Sequence, residues 1–371
     1  MKRKASFLAL KATGVRAPGA NILKQEMLSL GGEAAVSRGV INCSVERSDV
    51  LILGTEKQVR RLVKKLRPQP FGLRQMADEL EEALRARRGR FELPWRGGVL
   101  RLSERPHVMG VVNITPDSFS DGGDHLAPEV AAARAVQMVD EGADILDLGA
   151  ESTRPGADPV SEEEELARLM PVLEHLAPRV PVPISVDTYR SRVARRAVEA
   201  GASIINDISG LKADPEMAAV AAETGASVVL MHMRGTPRTM QLDTSYADLL
   251  GEVGGSLREC AEKALAAGVA REKIVLDPGI GFGKDKEGNL LLLQRLGELS
   301  SLGYPLLVGA SRKAFIGRVL GIERPKERLE GALAAAVLAI WNGAQCVRVH
   351  DVRETRRAVD LAWAVRQAHE T

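Results

Sequence analysis

A chain of 371 residues with 45% hydrophobic, 27% charged and 3% aromatic residues has the composition of an ordinary folded protein, which excludes a disordered or fibrous chain. Its three cysteines, Cys43, Cys260 and Cys346, lie far apart without CxxC spacing; this excludes a disulfide framework and a thiolate metal site and points to a reducing, cytoplasmic setting. Net charge is only +2, yet residues 1–105 hold 22 Lys and Arg against 11 Asp and Glu. With no aromatic platform or recognition motif interleaved, the basic stretch reads as a solvated surface, and nucleic acid is not expected as a partner.

In chain order, the opening MKRKASFLALKATG interrupts its apolar stretch at Lys11 and has no small-residue cleavage site, so it does not read as a secretion signal. Residues 1–95 read as a small α+β domain of unassigned role, with short strands at 39–45 and 50–53 and a helix over 73–88. A linker is expected at 96–105. From 107 onward, Val/Ile/Leu-rich runs at 107–113, 145–149, 183–187, 203–208, 227–232, 273–277, 305–310 and 346–350 alternate with helical periodicity, as at 128–142, 162–176, 190–201, 289–303 and 328–343. Eight strands with helical crossovers predict an α/β fold, a closed (β/α)8 TIM barrel over 106–371. An open doubly wound sheet carries a glycine fingerprint after its first strand, and VVNITPDSFSDGG stands there instead. The longest apolar run, 331–341, is too short for the roughly 20 residues of a membrane span.

Working groups in such a barrel sit at the C-terminal ends of the strands. Those ends carry Asn113, Asp147 with Glu151, Asp187, Asn206 with Asp207, Met231 with His232, Asp277, Ser311 with Lys313, and Arg348 with His350. Any one of them reads equally as a cap or an Asx turn. Eight around one mouth predict a site for a polar heteroaromatic or phosphorylated ligand. His107, His125 and His232 have no metal-ligand spacing and read as structural.

The segments NITPDSFSDGG (113–123), ESTRPG (151–156), SVDT (185–188), IIND (204–207), LMHMRGTP (230–237), DPGIGFGK (277–284), GASRKAFIG (309–317) and RVHDV (348–352) resemble, in order, the motifs of the dihydropteroate synthases. The resemblance covers 107–369 and leaves the first 95 residues outside it; no fused second folate enzyme is expected. It implies a folate-biosynthetic transferase that condenses (7,8-dihydropterin-6-yl)methyl diphosphate with p-aminobenzoate, giving 7,8-dihydropteroate and diphosphate, with Mg2+ as cofactor and a homodimeric assembly.

By the same resemblance, Asp187, Asn206, Met231, Asp277, Lys313 and Arg348 bind the pterin, and Thr153, Pro155, Phe282 and Ser311 surround p-aminobenzoate. Asn113, Arg348 and His350 take the diphosphate, with Mg2+ on Asn113. Asn113, Asp121, Arg154, Lys313, Arg348 and His350 form the catalytic set. Glu151 and Asp147 serve architecture rather than proton transfer. Two positions depart from the family pattern: Ala314 stands where Ser is frequent, and Ile280 where Phe is. The rival readings are a methyltetrahydrofolate methyltransferase, which would lack NITPDSFSDGG and ESTRPG, and a non-catalytic pterin-binding protein.

Overall fold

The computed structural model describes residues 7–86, 90–114, 128–151 and 160–368. The chain divides after Gly89 into two units.

The first unit runs β1 (Phe7–Arg16), α1 (Ala17–Ser29), β2 (Glu33–Val36), β3 (Arg47–Thr55), α2 (Glu56–Leu66) and α3 (Leu73–Ala86). Its strands form an antiparallel sheet in the order β1-β3-β2. Period-two alternation buries Leu8, Val50 and Ile52 against Leu23, Met27, Leu62 and Leu73 of the helices and leaves Phe7 and Leu51 exposed. A capping box opens α2: Thr55 Oγ1 accepts from Gln58 N at 3.3 Å, and Thr55 N donates to Gln58 Oε1 at 2.7 Å.

The α+β class stands, but the strand expected at 39–45 is a 3-10 turn at Arg38–Val40, after which Cys43 takes a left-handed φ of 53°. Asn42 Oδ1 accepts from Ser44 N at 3.2 Å, the local bond by which short polar side chains favour turns over ladders. Expected strand 50–53 lies inside β3. The strand β1 has no counterpart among the expected elements because it keeps one open face, where Lys11 belongs.

The second unit begins with a hairpin, β4 (Glu92–Trp95) and β5 (Gly98–Arg101), paired antiparallel across a two-residue turn. Residues 96–105, expected as a linker, therefore hold that turn and β5. Eight parallel strands follow, alternating with helices. They are β6 (His107–Asn113), β7 (Ile145–Gly149), β8 (Ile184–Asp187), β9 (Ile204–Asp207), β10 (Ser227–Met231), β11 (Ile274–Asp277), β12 (Leu307–Val308) and β13 (Cys346–Val349). The sheet order is β11-β10-β9-β8-β7-β6-β13-β12, and a bridge between Leu276 and Leu306 joins its two edges, giving the (β/α)8 barrel.

The helices around it are α4 (Pro128–Asp140), α5 (Glu162–Leu176), α6 (Ser191–Glu199), α7 (Met217–Thr224), α8 (Leu249–Ala266), α9 (Lys286–Gln294), α10 (Ala314–Leu320), α11 (Leu329–Trp341) and α12 (Val352–Gln367). The helix expected over 289–303 splits into α9, begun early by Asp285 Oδ1 accepting from Gly288 N at 2.7 Å, and a 3-10 stretch at Leu296–Leu302. Among the described residues no helix is long and apolar enough to cross a membrane.

Side-chain parity organises the barrel. Val108, Leu146, Leu148, Val186, Ile205, Val228, Leu276 and Val347 face the helices and share their core. The alternate positions Met109, Ile145, Ile204, Val229, Val275, Leu307 and Cys346 fill the interior, and the hairpin region adds Leu93 and Leu102 to that layer. Ser227 Oγ donates to the Pro94 carbonyl at 3.0 Å, tying the hairpin to the start of β10. The bottom of the barrel is thus an apolar plug. Continuing the interior parity toward the strand ends reaches Asn113, Asp147, Asp187, Asn206, Met231, Asp277 and Arg348.

Candidate functional site

Seven of the eight strands, all but β12, deliver one of these groups to the mouth by register. Asp187 pairs with Asn206, Met231 with Asp277, and Asn113 with Gly149 across neighbouring strands. Arg348 spans the interior: its Nε donates to Asp147 Oδ2 at 2.6 Å and its Nη2 to Asp187 Oδ2 at 2.7 Å. Asn206 Nδ2 donates to the same Asp147 oxygen at 3.1 Å, which fixes the amide with its own oxygen turned away from that bond. Asp147, with no exposed surface, is the hub that aims a cation and an amide.

Lys313, just ahead of α10, stands with its Nζ 3.8 Å from the centre of the Phe282 ring, a cation–π stack. The turn that carries Phe282 needs its glycines: Gly279 has φ +68°, and a Cβ there would lie 1.9 Å from the His232 carbonyl oxygen. Gly281 has φ +85°, and its Cβ would come within 2.9 Å of Lys313 Cδ. Met231 is buried with Ile208, Met233, Met240 and Phe282, so it forms one apolar wall with the phenyl ring.

Electrostatically the four central groups act on one another. Burial raises the Asp277 carboxyl to about 6, while the Gly279 N–H, Lys313 and Arg348 oppose the shift. Burial also raises Asp187, against the pull of Arg348. Lys313 is drawn down to about 8, by burial first and Arg348 second, with Asp277 and Asp187 opposing. Two carboxylates and two cations in a partly buried mouth form a template for a ligand with alternating donors and acceptors.

On the other side of Arg348, Ser311 Oγ lies 3.0 Å from His350 Nδ1 and accepts from His350 N at 3.3 Å. The helix α12 begins at Val352, and Asp351, at its cap, makes no side-chain capping bond to it and pairs instead with Arg312 at 2.7 Å. Arg348 and His350 thus lead directly into a helix whose first N–H groups have no side-chain cap, a setting suited to an anion.

Glu151, where the second motif starts, accepts from Tyr189 OH at 2.9 Å and from Arg190 Nη1 at 2.6 Å. The same guanidinium contacts buried Glu165 and donates through Nη2 to the Val160 carbonyl at 2.7 Å. Arg190 thus bonds the residues on either side of 152–159.

Of the expected site residues, the mouth holds Asp187, Asn206, Met231, Asp277, Phe282, Ser311, Lys313, Arg348 and His350, with Asn113 half-buried at the tip of β6. Asp121, Thr153, Arg154 and Pro155, like His125, lie outside the described residues. Asp207, on the outward parity, is a turn residue: its carboxylate accepts from Ser209 N and Leu211 N, both at 2.8 Å. Among the described residues no cluster of three or more His, Cys, Asp or Glu is arranged to hold a metal ion. Sequence reasoning assigns nothing to Arg190 or Lys284, whose partners are distant along the chain or are backbone carbonyls. Asp147 is marked there as a strand-end and architectural residue, without its partner Arg348.

Known proteins resemble this chain in sequence and in fold. Residues 109–350 match the family model described as "Pterin binding enzyme". The dihydropteroate synthase of Synechocystis is 49% identical over 262 residues, spanning 71% of this chain and 91% of that protein. A probable bifunctional folylpolyglutamate synthase/dihydropteroate synthase of Halobacterium salinarum is 45% identical over 356 residues; the match spans 95% of this chain and 42% of that protein. Among solved structures, the Xanthomonas albilineans dihydropteroate synthase with 4-aminobenzoic acid superposes with a TM-score of 0.72 at 44% identity, covering 76% of this chain and all of that one.

Proposed function

The chain belongs to the dihydropteroate synthase family, and from that premise we propose how its residues divide the work of joining a dihydropterin methyl diphosphate to p-aminobenzoate. It is a transferase of folate biosynthesis. The observation that carries the assignment of roles is the convergence of Asp187, Asp277, Lys313 and Arg348 on one inward-facing layer above an apolar plug.

Asp277, once ionised, accepts two adjacent donors of the pterin amino-pyrimidinone edge; Asp187 and Asn206 complete the in-plane bonds, and Lys313 donates to the ring's acceptor side. Met231 covers the ring. Phe282 and Ser311, with Thr153 and Pro155, line the p-aminobenzoate pocket. Asn113, Arg348 and His350 receive the diphosphate, aided by the N–H groups that open α12. Asp121 and Arg154 complete the catalytic set.

Mg2+ fits the donor set at Asn113: a neutral amide oxygen is a hard ligand, and Mg2+ takes most of its remaining contacts from water and phosphate oxygens. Bound there, it would neutralise charge on the departing diphosphate. In the reaction the pterin methylene C–O bond breaks and the electron pair leaves with the diphosphate. The resulting cation is delocalised into the pterin ring, and the aryl amine attacks it, forming the C–N bond and losing one proton. Arg348 and His350 stabilise the leaving charge; each well-placed donor in a dry site is worth roughly 3 kcal/mol.

The exposed Leu338 and Trp341 of α11 and Leu361 and Val365 of α12 lie on helices that pack together, and they support a homodimer formed through that face. The absence of a membrane-crossing helix among the described residues and the widely spaced cysteines support a cytoplasmic site of action.

The test is direct, and it uses the purified protein with the pterin diphosphate, with and without p-aminobenzoate and Mg2+. Dihydropteroate and diphosphate are expected in equal amounts only when all components are present. Failure to form either product overturns the reading.

A further inference from the structure

Lys284 takes no part in the chemistry above, yet its side chain is buried, at 2% exposure, beneath the turn that follows β11. Its Nζ lies 2.8 Å from the Phe282 carbonyl oxygen, 3.0 Å from that of Gly279, and 2.9 Å from His232 Nδ1. Burying a lysine head group is costly unless its donors are satisfied, and these acceptors replace its lost hydration. His232 is suited to accept such a bond, since burial first, and then Lys284, push its pKa down to about 3 and leave the ring neutral.

One head group therefore stitches two positions of the turn to His232, the residue that follows β10. The other bonds of the turn run the same way: Tyr246 OH donates to the Gly283 carbonyl at 2.7 Å, and Gly281 N donates to Asn289 Oδ1 at 2.6 Å. The product of this bracing is the placement of the Phe282 ring beneath Lys313. Asp277 shares Gly279 with that brace, through the Gly279 N–H 2.7 Å from its Oδ1, but the β10–β11 ladder holds its backbone independently of the turn.

We propose that Lys284 is a positioning residue for the aryl-amine half of the site: by holding the Phe282 and Gly279 carbonyls against the end of β10, it sets where the Phe282 ring stands beneath Lys313. This rests on the reading of Phe282 as a wall of the p-aminobenzoate pocket.

Lys284→Met keeps the aliphatic stem and removes the donors. Its KM for p-aminobenzoate is expected to rise about tenfold, while calorimetric affinity for the pterin diphosphate stays within about threefold of the parent. In a Phe282→Ala background the same change is expected to add less than about twofold to that KM, because the ring through which Lys284 acts is gone. Lys284→Met leaves buried acceptors unpaired and endangers folding, so Tyr246→Phe is the second variant. It loses only the bond to the Gly283 carbonyl, and its p-aminobenzoate KM is expected to rise about threefold with pterin affinity unchanged.

Equal losses for both substrates, additivity with Phe282→Ala, or an unchanged KM in Tyr246→Phe overturns the positioning role. A parent protein that forms no dihydropteroate overturns the reading of the site instead.

Discussion

Arg348 serves two buried carboxylates from one strand position, so its loss acts on both at once. Arg348→Gln leaves Asp147 and Asp187 without their cation, and a stability cost of about 3–5 kcal/mol is expected in urea unfolding. Calorimetry on the folded variant is expected to show a larger loss of affinity for diphosphate than for free 6-hydroxymethyl-dihydropterin; equal losses would argue against the anion role. A pH profile tests the other pair. In the proposed division of roles ionised Asp277 accepts the pterin donors, and its carboxyl is held up at about 6 while Lys313 is held down at about 8. Affinity for the free pterin is therefore expected to rise as pH increases through about 6 and to fall as it passes about 8; a flat profile between about pH 5 and 9 would contradict the assignment. Stability carries the opposite sign at the acid limb: folded Asp277 holds its proton more tightly than the unfolded chain, so its contribution declines as pH rises from its ordinary value near 4 to about 6. Asp277, Lys313 and Arg348 are legible in the sequence as polar residues at or just past the ends of apolar strands. Asp147 is legible in the same way, but its partner is not, because Arg348 lies 201 positions away.

The junction from β8 to α6 works as a unit. Tyr189 and Arg190 lie just past Asp187 and together grip Glu151, while Arg190 also holds Glu165 and the Val160 carbonyl. A cation–π stack, with the Arg190 Cζ 4.7 Å from the Tyr189 ring centre, keeps the two side chains together. In the proposed reading Thr153 and Pro155, which fall between Glu151 and Val160 in the sequence, serve p-aminobenzoate, so Arg190→Met is expected to raise the p-aminobenzoate KM about tenfold, with partial recovery in Arg190→Lys. Steady-state kinetics with p-aminobenzoate varied measure this, and an unchanged KM would remove the junction from the site. The barrel's strands are readable because each is a short, mostly apolar run with a polar residue at or just past its end. Segment 39–45 misleads for the converse reason: its apolar residues suggest a ladder, but Asn42 and Ser44 bond locally and the chain turns. The start of α9 is hidden because Asp285 both ends the glycine turn and caps the helix.

At the scale of the molecule, two separate hydrophobic cores form in one chain. The Synechocystis relative is matched over 91% of its length by 71% of this chain, and every described residue given a role in the proposed reaction lies in the second unit. Deleting residues 1–89 is expected to leave kcat within about threefold of the full chain. The hairpin is different, since Leu93 and Leu102 complete the interior layer at the barrel's base. Leu93→Ala is expected to cost about 2–5 kcal/mol in urea unfolding, without changing either KM in the folded fraction. By itself the sequence determined the succession of eight strands and helices, the polar residues at the strand ends and the family motifs, because alternation, helical periodicity and motif order are properties of neighbouring residues. Only the tertiary structure decided that residues 96–105 close the barrel instead of linking two domains, that Asp147 aims Arg348, and that Lys284 braces the Phe282 turn. Each of these is a bond or a contact between residues from separate segments, and its energy exists only once the barrel has brought them together.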